Sequence, residues 1–184
     1  MKHAKLQRLI FFALCCDLGL FTKRLIAPVT NIITDSLHIP GGIGTAFSLM
    51  FLIIAAMLIP GFGCATLAGA VQGAIALSLG MIGSMGLLAP LGYIVPGIVI
   101  DCVMSVSRKA GLSEEPTMFI ANMLSAVMAS ITANILVFHL SGVVLLLYAS
   151  VSLTSGAVCG LLGSALVPRL RPILRADTGK GEKA

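Results

Sequence analysis

"SRKAGLSEEP", residues 107–116, sets four charges (Arg108, Lys109, Glu114 and Glu115) between two apolar runs, 87–107 and 117–138. A membrane span needs about 20 mostly apolar residues to cross roughly 30 Å of hydrocarbon, and each run is long enough. Working outward in both directions repeats the pattern. Apolar runs fall at 6–27, 41–59, 62–82, 87–107, 117–138 and 142–167. They are broken by "TNIITDSLHIPGGIG" (30–44), Pro60-Gly61, "GMIGSMG" (80–86), the charged decapeptide and "HLSG" (139–142). Glycine, proline or charge marks each break. The expected fold is an all-α membrane protein, a six-transmembrane-helix bundle in one domain over 1–170. A basic cytoplasmic tail, 171–184, is expected to be disordered.

Composition agrees. Of 184 residues 58% are hydrophobic and only 10% charged, and the mean hydropathy is +1.06. A soluble domain of this size needs far more charge to cover its surface, so the solvent is lipid. The five cysteines, Cys15, Cys16, Cys64, Cys102 and Cys159, lie in apolar runs without CxxC spacing. They suggest packing rather than a disulfide framework or a zinc site. Lys2, Lys5 and Arg8 before "LIFFALCC" imitate a secretory signal, but Asp17, Lys23 and Arg24 follow at once with no small-residue cleavage site. The segment is read as a retained first helix.

Ten of the twelve Lys and Arg residues fall on one side of a six-span layout: Lys2, Lys5, Arg8, Arg108, Lys109, Arg169, Arg171, Arg175, Lys180 and Lys183. Basic connections mark the cytoplasm, so both termini are expected there. The net charge of +5 is then a topology signal, and no aromatics interleave with it as a nucleic-acid surface would require. Small residues recur every four positions on three helices: Ala65-Gly69-Gly73, Ala121-Ser125-Ala129-Ala133 and Ser152-Gly156-Gly160-Ser164. In lipid such stripes let helix backbones approach closely, either within the chain or against a partner.

Polar side chains inside spans are costly and therefore candidates for function. Asp17 sits about halfway along the first span and either pairs with Lys23 or Arg24 or serves another role. Asp101, on one face with Tyr93 and Gly97, is expected to be ionised and paired with Arg108 or with a ligand. Gln72 is either an interhelical clasp or a ligand contact. Ser130 and Asn134 share a face of the fifth span, as Tyr148 and Ser152 do on the sixth. Tyr93, Asn134, Tyr148 and the 30–44 strip all belong to the outer half, where a pocket open to the outside would lie. No Walker motif, HExxH, GxSxG or metal-ligand spacing occurs, so ATP hydrolysis and an intramembrane enzyme are not expected.

With both ends cytoplasmic, a long outward segment after the first helix and small-residue helices, the whole chain resembles the S component of energy-coupling factor (ECF) transporters. "GIVIDCVMSVSRKAG" (97–111), "SAVMASITANIL" (125–136) and "TSGAVCGLLGSAL" (154–166) look most like the thiamine or hydroxymethylpyrimidine branch, through the seven-residue spacing of Asp101 and Arg108. The resemblance implies a bacterial or archaeal cell membrane location and capture of a small vitamin-like solute from outside. It also implies a transmembrane T component and two cytoplasmic ATPases as partners, with no cofactor on this chain. The substrate-contacting set read on that basis is Asn31, Asp35, His38, Gln72, Tyr93, Asp101, Asn134 and Tyr148. The family's A-x-x-x-A partner contact departs here, since Ala13 is matched by Asp17; Cys16 and Gly19, or Asp17 itself, are the substitutes. "LHIPGG" (37–42) faintly resembles the nickel and cobalt members, which leaves a metal uptake subunit, or a self-sufficient small carrier, as alternatives.

The 30–44 strip is longer than a connection requires. Its alternation of Ile32, Ile33, Leu37 and Ile39 with Asn31, Asp35 and His38 is read as irregular backbone lying across the outer mouth. Gly41, Gly42 and Gly44 would be its hinge. A helix-one extension at the lipid surface is the other reading.

Overall fold

The computed structural model describes residues 2–37, 43–59, 61–80, 83–138 and 142–175. Six α-helices occur among them: α1 (Lys2–Leu37), α2 (Ile43–Leu58), α3 (Cys64–Ser78), α4 (Leu91–Ala110), α5 (Glu114–Ala133) and α6 (Val143–Arg175). A 3-10 turn, Gly83–Leu88, precedes α4, and a π segment, Asn134–Phe138, ends α5. No strand appears among the described residues.

The opening decapeptide shows why the chain breaks where it does. Gly111 ends α4 in the left-handed region (φ 66), and the Leu112 N–H returns to the Ser107 carbonyl at 3.0 Å. Glycine enters that region without a Cβ penalty, which makes it a common helix terminator. Ser113 is extended at the start of α5, whose first turn carries Glu114 and Glu115 against the positive helix end. Arg171 of α6 pairs with Glu114 there, an exposed contact of the kind worth at most about 1 kcal/mol.

α2 is apolar all round, and a helix of that kind has to be surrounded. Leu52, Ile53, Ile54, Ala55 and Ala56 are fully enclosed, and α1, α3, α4, α5 and α6 all touch α2. α3 and α4, and likewise α5 and α6, run antiparallel and close together. A Cβ added at Gly73 would lie 2.9 Å from Pro90, and one at Gly69 would lie 2.4 Å from the Tyr93 carbonyl oxygen. At Gly156 and Gly160 a Cβ would meet the α5 backbone at 2.9 and 2.8 Å. The small-residue stripes of α3 and α6 are therefore seams within this chain.

Among the described residues three stretches are long and apolar enough to cross a membrane: Gly86–Ala110, Glu114–Leu136 and Val143–Pro172. The apolar helices Gly44–Leu58 and Cys64–Ser78 are shorter. Fifteen residues of α3 span about 22 Å, less than a hydrocarbon core.

Two expectations change. α1 continues through Pro28 to Leu37, so residues 30–37 are helical and not an irregular strip. The alternation there has a second period: Ile33 and Leu37, like Asn31 and Asp35, are four apart and share a helix face. The side chains of Asn31 and Asp35, and His38 with the glycine hinge at 41–42, lie outside the described residues. At the other terminus α6 extends to Arg175, so 171–175, expected as disordered tail, are helical; 176–184 lie outside the described residues.

Candidate functional site

For orientation, the basic end of the bundle holds the start of α1, the end of α4 and the end of α6; the far end is opposite. α4 carries Tyr93, Gly97 and Asp101 on one buried face, as the sequence implies. Asp101 is only 4% exposed, and its carboxylate belongs to α3. The Ala65 N–H donates to Oδ1 at 3.1 Å, while the Thr66 N–H and Thr66 Oγ1 donate to Oδ2 at 2.8 and 2.6 Å. Gly63 at the head of α3 has no side chain to cap the helix, so a residue from another helix does it. Negative charge at a helix N-terminus is also favoured by the helix dipole.

Arg108, the expected partner, turns instead to the last turn of α2, where Nη2 lies 3.5 Å from the Ala56 carbonyl oxygen. Two charges seven residues apart on α4 thus serve the two helix ends flanking the α2–α3 turn: negative at the start of α3, positive at the end of α2. In place of the expected pairing with Arg108, the Asp101 carboxylate makes this cap, and Asp101 also borders the cleft beside it. Phe62, Thr66, Leu67, Ala70, Ile98 and Cys102 also line this open apolar cleft, of about 460 Å³, on the outer surface of α3 and α4.

Towards the far end, Lys23 of α1 reaches across to Tyr93 of α4. Its Nζ donates to Tyr93 Oη at 3.2 Å and lies 4.5 Å from the ring centroid. Tyr93 is 7% exposed and packs with Leu20 and Ala76. This contact was missed in the sequence, where Lys23 figures as a partner for Asp17. Cys16, Leu20 and Lys23 follow one another at helical spacing on the inner face of α1. Asp17 and Arg24 lie on its exposed face with Leu18, Phe21 and Leu25. Asp17 forms no ion pair among the described residues; Arg171–Glu114 is the one found there.

Gln72 is a clasp. Wholly buried, it donates from Nε2 to the Cys16 carbonyl oxygen at 3.0 Å and occupies the space a Cβ on Gly19 would fill. Of the partner-contact set, Cys16 and Gly19 therefore face α2 and α3 inside the chain, whereas Ala13 and Asp17 are exposed. Asn134 folds back on its own helix, donating from Nδ2 to the Ser130 carbonyl oxygen at 2.8 Å. Tyr148 is half-buried on α6.

Several buried polar atoms have no partner among the described residues: Gln72 Oε1, Asn134 Oδ1, Ser152 Oγ and both side-chain atoms of Asn122. Asn122, on α5, is fully buried and was not singled out in the sequence, because it lies one residue beyond the Ala121-Ser125-Ala129 stripe. No three His, Cys, Asp or Glu side chains among the described residues are placed to hold a metal ion. Comparison with known protein families, with curated proteins and with solved structures finds no match for the chain.

Proposed function

We propose that this chain is the solute-binding membrane subunit of an ECF-type uptake transporter, which takes a small vitamin-like molecule into the interior of its six-helix bundle. The observation that supports the reading is the set of unmatched polar atoms on α3, α5 and α6. A buried hydroxyl or amide without a partner costs about 1–3 kcal/mol by protein mutational measures. A bundle enclosed by lipid keeps such groups where water or a polar solute meets them. Gln72, Asn122, Asn134 and Ser152 are then the solute-facing or water-facing set. Asp101 stands apart from that set, since its carboxylate caps α3.

On this reading ATP is hydrolysed by separate subunits, since the sequence has no nucleotide motif of its own. The chain purified with a tag from its native membranes should bring down a second multi-span subunit and two ATPases. Recovery alone, with full uptake after reconstitution into liposomes, would overturn the proposal. Replacing Gln72 by Met supplies a second measure. The Cys16 carbonyl keeps its own helical bond, so the unfolding midpoint in detergent should stay within a few degrees while solute uptake by the assembled transporter falls. A large loss of stability would make Gln72 a structural clasp alone.

A further inference from the structure

We infer that Lys23 and Tyr93 form an anion site, and that the solute it takes is a small organic molecule bearing a carboxylate or phosphate. The inference rests on the solute-binding reading above and adds the chemical class of the ligand.

Lys23 is half-buried and lies on the side of α1 that carries Cys16 and Leu20. Arg24, the next residue, lies on the exposed stripe, where a long cationic side chain can extend toward the headgroups. Lys23 lies three residues beyond buried Leu20 and seven beyond buried Cys16, on the face packed against α2 and α3, and reaches α4 through Tyr93. There its ammonium contacts a phenol and a ring face. Both are neutral. A cation over an aromatic face gains about 0.5–2 kcal/mol, and the charge itself remains. An ammonium has three donors, and Tyr93 Oη takes one.

Among the described residues no carboxylate forms an ion pair with Lys23. The chain's seven Asp and Glu residues are Asp17, Asp35, Asp101, Glu114, Glu115, Asp177 and Glu182. Asp17 is on the exposed face of α1. Asp35 is twelve residues further along that helix, about 18 Å. Asp101 is held by α3, eight residues beyond Tyr93, about 12 Å along α4. Glu114 and Glu115 open α5 at the basic end, and Asp177 and Glu182 lie outside the described residues. An uncompensated charge is expensive where the dielectric constant is low, so the site favours an incoming anion. Leu20, Ala76 and the Tyr93 ring supply an apolar wall beside it. An anionic group joined to an apolar body suits that combination.

The same anionic chemistry has two sources, a free solute and a lipid headgroup, and the test separates them. The full chain is placed in nanodiscs of phosphatidylcholine, and its unfolding midpoint is followed against sodium benzoate, inorganic phosphate and neutral benzamide at constant ionic strength. A saturable rise of several degrees with benzoate or phosphate, absent with benzamide, supports a soluble anion. It should vanish in Lys23→Gln, persist in Lys23→Arg and weaken in Tyr93→Phe. The same Lys23-dependent rise in phosphatidylglycerol nanodiscs without added anion supports the site with a headgroup as occupant. If benzamide stabilises as well as benzoate and Lys23→Gln changes neither, solute binding stands and the anion site falls. If neither soluble anions nor phosphatidylglycerol moves the midpoint, the anion site also falls. Should Lys23→Gln not accumulate, the acylation rate of Lys23 in the unaltered chain decides. Protection by benzoate or phosphate but not benzamide supports the site, and equal rates overturn it.

Discussion

Asp101→Asn is expected to destabilise the folded chain by about 3–5 kcal/mol, the range for removing one side of a buried charged contact. The carboxylate accepts from two backbone amides and a hydroxyl, all belonging to the first turn of α3. An amide in its place keeps one acceptor and turns an NH2 donor toward donors. An N–H left without a partner when buried adds about 1–3 kcal/mol, and of the two the Ala65 N–H is the buried one. Thr66→Val removes the hydroxyl contact with little change of shape, and alone should cost about 1–2 kcal/mol. In the Asp101→Asn background it should cost much less, because both changes break the same contact. Reversible unfolding of the purified variants in one detergent measures this. An Asp101→Asn variant within about 1 kcal/mol of the parent would mean that the cap does not hold α3 in place.

The second large effect belongs to Gly97, one turn before Asp101. A Cβ there would lie 2.7 Å from the Ala65 carbonyl oxygen and 2.9 Å from Thr66 Cα, both backbone-bound atoms that cannot swing aside. Overpacking of this kind costs about 1–3 kcal/mol. Gly97→Ala gains up to about 1 kcal/mol of helix propensity, yet it should still be destabilising, and Gly97→Val more so. The displacement also draws α4, and with it the Asp101 carboxylate, away from the amides it caps. Gly97→Ala and Asp101→Asn should therefore combine to less than the sum of their separate effects. Gly61→Ala is the control, since nothing lies within 4 Å of a Cβ at that position. Equal behaviour of the two alanine variants would show that α3 and α4 are not in close contact at Gly97.

The number of helices was legible because each break carries its own chemistry: Gly111 and Ser113 between α4 and α5, Gly63 before α3. Their lengths were less so. Residues 30–37 suit a period of two and a period of 3.6 equally, and the helix prevailed. Gly69 and Gly73 marked where α4 comes close, as spacing suggested. Asp101 stood out as a buried charge, but its partners are backbone amides 35 and 36 residues upstream. Backbone donors look alike at every position, so local spacing favoured Arg108 instead. Lys23 was misassigned for a related reason: Asp17 is near in sequence but on another face of α1, while Tyr93 is 70 residues away and in contact. Asn122 gave the weakest signal, a lone amide beside a stripe of small residues.

The cap on α3 also dictates an order of assembly. Ribosomes deliver a chain from its N-terminus, so Cys64–Ser78 leaves the tunnel before Asp101 has been synthesised. Until then the leading amides of that short helix have no acceptor that lipid could replace. The first turn of α3 therefore relies on a residue made later, whereas α5 carries two glutamates of its own in its first turn. Its cap is completed only when α4 packs beside it as the second arm of a hairpin and brings the carboxylate. The gap of 36 positions between Ala65 and Asp101 is thus also a delay, during which the start of α3 is without its cap.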